Sequence, residues 1–223
     1  MIVFIDNEHE SGYAQPWGEK LMAARVRIKY RLEDLSGDTC LIMRYNKVTP
    51  ELLTAIKARA LFISGNSANP DDYDPKDQKG LKAALLEKRL PAFGFCGGHQ
   101  VMAEAYGATL APIGPLEEPE EEITFAPGLK KEMGYKPVQL LGKHPLFEGL
   151  GSNPIFRHAH SWELKTLPEG FINLAATEIT ALQMMVHESL PLMGTQFHPE
   201  YYTDEHPAGR ILIENFMKWS GIT

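Results

Sequence analysis

The chain has 223 residues, 43% of them hydrophobic and 23% charged, near the values of ordinary globular proteins, which excludes a chain that is disordered throughout and fits an enzyme domain. The formal net charge is −7 and no cluster of Lys and Arg stands out, so nucleic acid is not an expected partner. Two cysteines, Cys40 and Cys96, are too few for a disulfide framework, and no apolar stretch approaches membrane-spanning length.

Met1–Asp6 is too short for the apolar region of a secretion signal and lacks its basic flank, which points to the cytoplasm. Ile2–Ile5 reads as a first buried strand. A helix is expected within 17–34, because Leu21, Ala24, Ile28 and Leu32 recur at helical spacing. Cys40–Tyr45 is a second strand, with Cys40 as a small core side chain. Pro50–Ala58 is a short helix, and Ala60–Ser64 a third strand ending at Gly65. Asp74 and Pro75 start the next helix as N-cap and first residue, with Leu81 and Leu85 on one face. Ala92–Phe95 is a fourth strand, and Gly98–Tyr106 a helix stopped by Gly107.

This alternation implies an α/β fold with a mostly parallel central sheet and helices on both faces. From residue 108 the pattern changes to short apolar runs: 108–113, 136–141, 154–158, 171–176, 181–187 and 192–196. These predict antiparallel additions to the sheet in the C-terminal half. Pro207–Trp219 is a closing helix. The acidic stretch 115–122 is expected to be a solvated loop. No repeat or linker divides the chain, so residues 1–223 are read as one domain.

Two segments carry chemistry. Gly94-Phe95-Cys96-Gly97-Gly98-His99-Gln100 places a cysteine between small residues, after a strand and before a helix. That is the sequence form of a nucleophile elbow. Gln196-Phe197-His198-Pro199-Glu200 supplies a histidine and a carboxylate two residues on, which an extended chain puts on one side. Cys96, His198 and Glu200 then form a nucleophile, a base and a group that orients the base. His99 is expected to be structural. His158 and His160 alternate along a strand and could ligate a metal with His187 or His206. No third ligand has recognisable spacing, however, so neither metal nor cofactor is assigned.

Both motifs, in this order, resemble those of the class I (triad-type) glutamine amidotransferases, a flavodoxin-like family. Gly94, Cys96, Gly98, Gln100 and the whole of 196–200 match its pattern. Lys131–Tyr135 and Pro145–Leu150 are most similar to the glutaminase units of GMP synthetases. The resemblance implies hydrolysis of the glutamine side-chain amide through a cysteine thioester, with ammonia passed to a separate synthase subunit. It implies an oxyanion hole from the backbone N–H groups of Gly97 and Asn66. The family's Ser-Gly-Gly-Pro-Gly loop reads Ser64-Gly65-Asn66-Ser67-Ala68 here, so Asn66 is expected at positive φ. Gln100, Ser161 and Trp162 are implied to bind the substrate. Two alternatives remain open at this point: a freestanding γ-glutamyl hydrolase or peptidase acting on another γ-glutamyl substrate, and a non-catalytic binding domain.

Overall fold

The central strands are buried at every position, so the core is divided between two faces of one sheet. The computed structural model describes residues 1–87, 89–117 and 125–223. The first half contains β1 (Ile2–Asp6), α1 (Glu10–Tyr13), α2 (Gly18–Ser36), β2 (Cys40–Arg44), α3 (Pro50–Ala55) and β3 (Leu61–Ile63). It continues with α4 (Pro75–Leu86), β4 (Ala92–Phe95) and α5 (Gly97–Ala105). The second half contains β5 (Leu110–Pro112), β6 (Glu132–Pro137), β7 (Gln139–Leu140), β8 (Ile155–His160) and β9 (Trp162–Leu164). It ends with β10 (Phe171–Ala176), β11 (Met184–His187), β12 (Leu192–Thr195) and α6 (Ala208–Trp219).

Eight strands form the main sheet in the order β2-β1-β3-β4-β12-β11-β10-β7. The first five are parallel; β11, β10 and β7 each run antiparallel to the strand before them. Successive side chains of a strand point to opposite faces. Ile2 and Phe4 therefore join Phe62, Phe93 and Phe95 beneath α2 and α6, whose Ile28, Leu32, Leu212 and Phe216 complete that layer. Val3 and Ile5 face the other way and pack with Leu53, Leu81, Leu85, Val101 and Met102 from α3, α4 and α5. Local chemistry sets the helix ends. Thr49 Oγ1 accepts from Leu52 N and Asp74 Oδ1 from Lys76 N, each ahead of a proline. Gly37, at φ 66°, closes α2 in the left-handed conformation.

The C-terminal half departs from the expected pattern in two ways. The runs near 108–113 and 154–158 do not add to the main sheet: β5 pairs with β9, and β6 with β8, as separate two-stranded sheets. Gly134 at φ 90° lies within β6, which runs through Glu132-Met133-Gly134-Tyr135 and lacks the β-branched alternation that marks a strand. The run 192–196 is parallel to β4 and antiparallel only to β11, so it extends the parallel half of the sheet. Residues 118–122 of the acidic stretch lie outside the described residues; its start is held by Leu116 N donating to Gly128 O at 2.9 Å. Among the described residues no helix is long and apolar enough to cross a membrane.

Candidate active site

The carboxyl ends of β3, β4 and β12 are adjacent, which is where open α/β sheets collect function. Ser64-Gly65 leaves β3, Cys96 leaves β4, and Gln196–His198 leaves β12. Cys96 occupies the turn between β4 and α5 with φ 48° and ψ −104°, a strained conformation for a residue with a side chain. Its N–H is fixed to Thr195 O at 2.7 Å. The turn closes because Gly98 has no Cβ; one would run into the Ile63 carbonyl.

The structure brings Cys96, His198 and Glu200 together. His198 Nδ1 lies 2.8 Å from Glu200 Oε1, leaving the rest of the ring for the sulfur. His198 N donates to Arg157 O at 2.8 Å, and Arg31 Nη1 donates to Glu200 O at 2.6 Å. Burial pushes the imidazole toward neutrality, but the Glu200 carboxylate and the Cys96 sulfur outweigh it and hold its pKa at about 10. The ring is therefore poised as an imidazolium. Gln196 Nε2 also donates toward Cys96 Sγ at 3.5 Å. A Cβ on Gly65 would come within 2.8 Å of the His198 ring, so this position must be glycine for the sulfur and ring to meet.

The loop after β3 differs from the sequence expectation. Asn66 is not at positive φ; among the described non-glycine residues only Lys57, Cys96 and Ala126 are. The loop is shaped by hydrogen bonds instead. The buried Glu8 carboxylate accepts from Ser67 N at 2.8 Å and from Ala68 N at 3.2 Å. Arg25 Nη2 donates to Gly65 O at 2.8 Å, while its Nε pairs with Asp6 Oδ1 at 2.8 Å. Asn66 Nδ2 donates to Ala68 O at 2.7 Å, and Asn66 Oδ1 lies over Gly97, where a Cβ would strike it. Burial raises the Glu8 pKa, opposed by Arg25 and by the two backbone donors. Sequence reading missed Asp6, Glu8 and Arg25. Their only signal was charge placed at the end of a buried strand and on the inner face of a helix.

Gln100, Ser161 and Trp162 line a small cleft together with Asn66 and Cys96. Gln100 Nε2 donates to Trp162 O at 3.0 Å and to Gln196 Oε1 at 3.1 Å, so it ties α5 to both segments. Ser161 is buried and its carbonyl accepts from Ile113 N at 2.8 Å. Beside this cleft, on the His198 side, lies a cavity of about 420 Å³ lined by Trp17, Leu21, Phe125, Met133 and Arg157.

The remaining histidines separate. His99 is buried beneath the elbow, and that burial holds its pKa down at about 3, as suits a structural residue. His187 packs on Phe171, and His206 stacks on Tyr135, so neither joins His158 and His160. The residue beside those two is Glu132.

A family model described as glutamine amidotransferase class-I matches residues 27–219. A glutamine-hydrolysing GMP synthase subunit from Thermococcus kodakarensis is 31% identical over 176 residues, covering 79% of this chain and 83% of that one. The glutamine-hydrolysing GMP synthase of Phenylobacterium zucineum is 28% identical over 185 residues, covering 81% of this chain but 31% of that one. A solved structure from Thermoplasma acidophilum superposes with a TM-score of 0.70 at 23% identity, covering 100% of this chain and 94% of that one, which bears on the fold alone. With a match that spans most of its length, the chain belongs to the class I glutamine amidotransferase family.

Proposed function

We propose that the protein hydrolyses the side-chain amide of glutamine and delivers the ammonia to a separate synthase subunit. The observation that carries this reading is the Cys96 elbow facing a His198 ring that Glu200 holds at 2.8 Å. The Cys96 thiolate attacks the amide carbon, forming a tetrahedral oxyanion. The backbone N–H groups of Gly97 and Asn66 are the proposed donors to it. His198 gives its proton to the departing nitrogen, so ammonia leaves and a γ-glutamyl thioester remains on the sulfur. His198, now neutral, takes a proton from water as the water attacks the thioester. Glutamate is released and the thiolate–imidazolium pair is restored. Glu200 orients the ring throughout, while Gln100, Ser161 and Trp162 hold the amino-acid end of glutamine. The relatives named as GMP synthase subunits support a GMP-type synthase as the partner that uses the ammonia.

A second reading is a freestanding γ-glutamyl hydrolase, favoured by the cavity of about 420 Å³ beside His198, which offers room for a leaving group larger than ammonia. One substrate panel separates them. The purified chain should release glutamate from glutamine, with Cys96→Ala inactive and Cys96 the residue alkylated by a diazo-ketone glutamine analogue. Labelling of Cys40, or turnover by Cys96→Ala, would overturn the mechanism. Rapid cleavage of γ-glutamyl peptides with glutamine ignored would favour the second reading.

A further inference from the structure

Behind the strand that borders Cys96, three metal-ligating side chains converge. Ala159 of β8 turns its carbonyl toward Cys96 Sγ, 4.0 Å away. Along β8 the side chains alternate, and those of His158 and His160, both buried, take the face opposite to that of Ala159. There they meet Glu132 of β6, the residue paired with His160 in the two-stranded sheet. Glu132 Oε2 lies 3.6 Å from His158 Nδ1 and 3.3 Å from His160 Nε2. The three donor atoms are all within 4.8 Å of one another. All three residues are at most 3% exposed.

One of the three converging donor atoms, His158 Nδ1, has no hydrogen-bond partner among the described residues, and neither have His158 Nε2 and His160 Nδ1. Buried nitrogens without partners are rare, and an ion or a water is the usual explanation. The separations decide between the two kinds of contact. At 3.6 Å, His158 Nδ1 is too far from Glu132 for a hydrogen bond. Donors about 2.0–2.2 Å from a tetrahedral zinc lie about 3.3–3.5 Å from one another. The two separations from Glu132 Oε2, 3.3 and 3.6 Å, are close to that.

The surroundings also resemble those of a metal centre. Glu132 Oε2 is held by Gln183 Nε2 at 2.7 Å and by Thr177 Oγ1 at 3.2 Å. Such outer partners fix the direction of a ligating carboxylate. Thr180 Oγ1, 3.3 Å from His160 Nε2, is the nearest further oxygen.

We propose that Glu132, His158 and His160 bind one divalent transition-metal ion, with zinc the best fit to a set of two imidazoles and one carboxylate. The site is closed to solvent, so its role is structural. The ion fastens β6 to β8 and fixes the strand whose other face borders the nucleophile. The proposal stands independently of the glutaminase reading, because no step of that chemistry passes through the ion.

The test uses the full-length protein without a histidine tag, purified without chelators, and elemental analysis by mass spectrometry. The expected result is close to one divalent ion per chain that survives gel filtration. Protein stripped with a chelator should regain one zinc per chain and show a higher Tm on zinc addition. His158→Phe and Glu132→Gln should both lose the ion, whereas His206→Ala should keep it. Should the two site variants fail to fold, cobalt(II) added to stripped wild-type protein should give the visible bands of a tetrahedral site. Metal-free wild-type protein whose Tm ignores added zinc would overturn the proposal. So would an unchanged metal content in folded His158→Phe, or cobalt spectra of purely octahedral form.

Discussion

The elbow residue bears a backbone strain that its neighbours must hold in place. Cys96 at φ 48° persists because Gly65, Gly97 and Gly98 allow three segments to approach it. Gly65→Ala should therefore displace His198 and lower kcat by about 100-fold, the usual effect of a 1 Å misplacement. Steady-state kinetics on folded protein checks this, and an unchanged kcat would show that the ring has room to spare. The pairing of His198 with Glu200 gives a pH test. A ring whose pKa is raised from 6.5 to about 10 stabilises the fold fully below pH 6.5 and loses that contribution as pH rises through about 10. Glu200→Gln should thus destabilise the protein by on the order of 2 kcal/mol near neutral pH, and by less above pH 10. Urea unfolding at several pH values measures the difference, and a pH-independent difference would contradict it. At this scale the meeting of Cys96, His198 and Glu200 is legible, because the three lie in two short contiguous motifs at the ends of neighbouring strands. The shaping of the 64–68 loop is not. Asn66 suggested a positive φ, whereas the loop is held by Glu8 and Arg25, which lie about 60 and 40 residues before it in sequence. No local pattern encodes such a contact.

The elements legible in sequence are those that repeat a period. α2, α4 and α6 were visible from helical spacing or capping residues, and β1 and β4 from apolar runs. α1 has four residues, less than a useful window, and β9 has three. The partners of β5, β6 and β8 were illegible because a short strand does not specify its neighbour; packing does. The closing helix is the element with the clearest energetic role. Phe216 of α6 is fully buried and meets Phe62 at 5.9 Å and Phe93 at 5.0 Å between ring centres. Phe216→Ala should cost about 3–5 kcal/mol through lost burial and the cavity left behind. Chemical denaturation gives the value, and a cost near zero would show that α6 can repack.

For the molecule as a whole, the question is what completes the site. A glutaminase that discarded ammonia would waste substrate, so a partner that finishes the geometry is expected to switch it on. The isolated chain should hydrolyse glutamine slowly and accelerate at least about 10-fold when a GMP-type synthase and its acceptor are added. Equal rates with and without them would favour the freestanding hydrolase. The order of strands has a further consequence during synthesis. β4 leaves the ribosome about a hundred residues before β12, yet the two are side by side in the finished sheet. Until Leu192–Thr195 emerges, one edge of the Cys96 strand has no neighbour on that side, and the proposed base, His198, has not been made. A nascent chain of this protein therefore carries a silent cysteine. A chain that stops short of residue 198 has the elbow but neither the ring nor the carboxylate that face it.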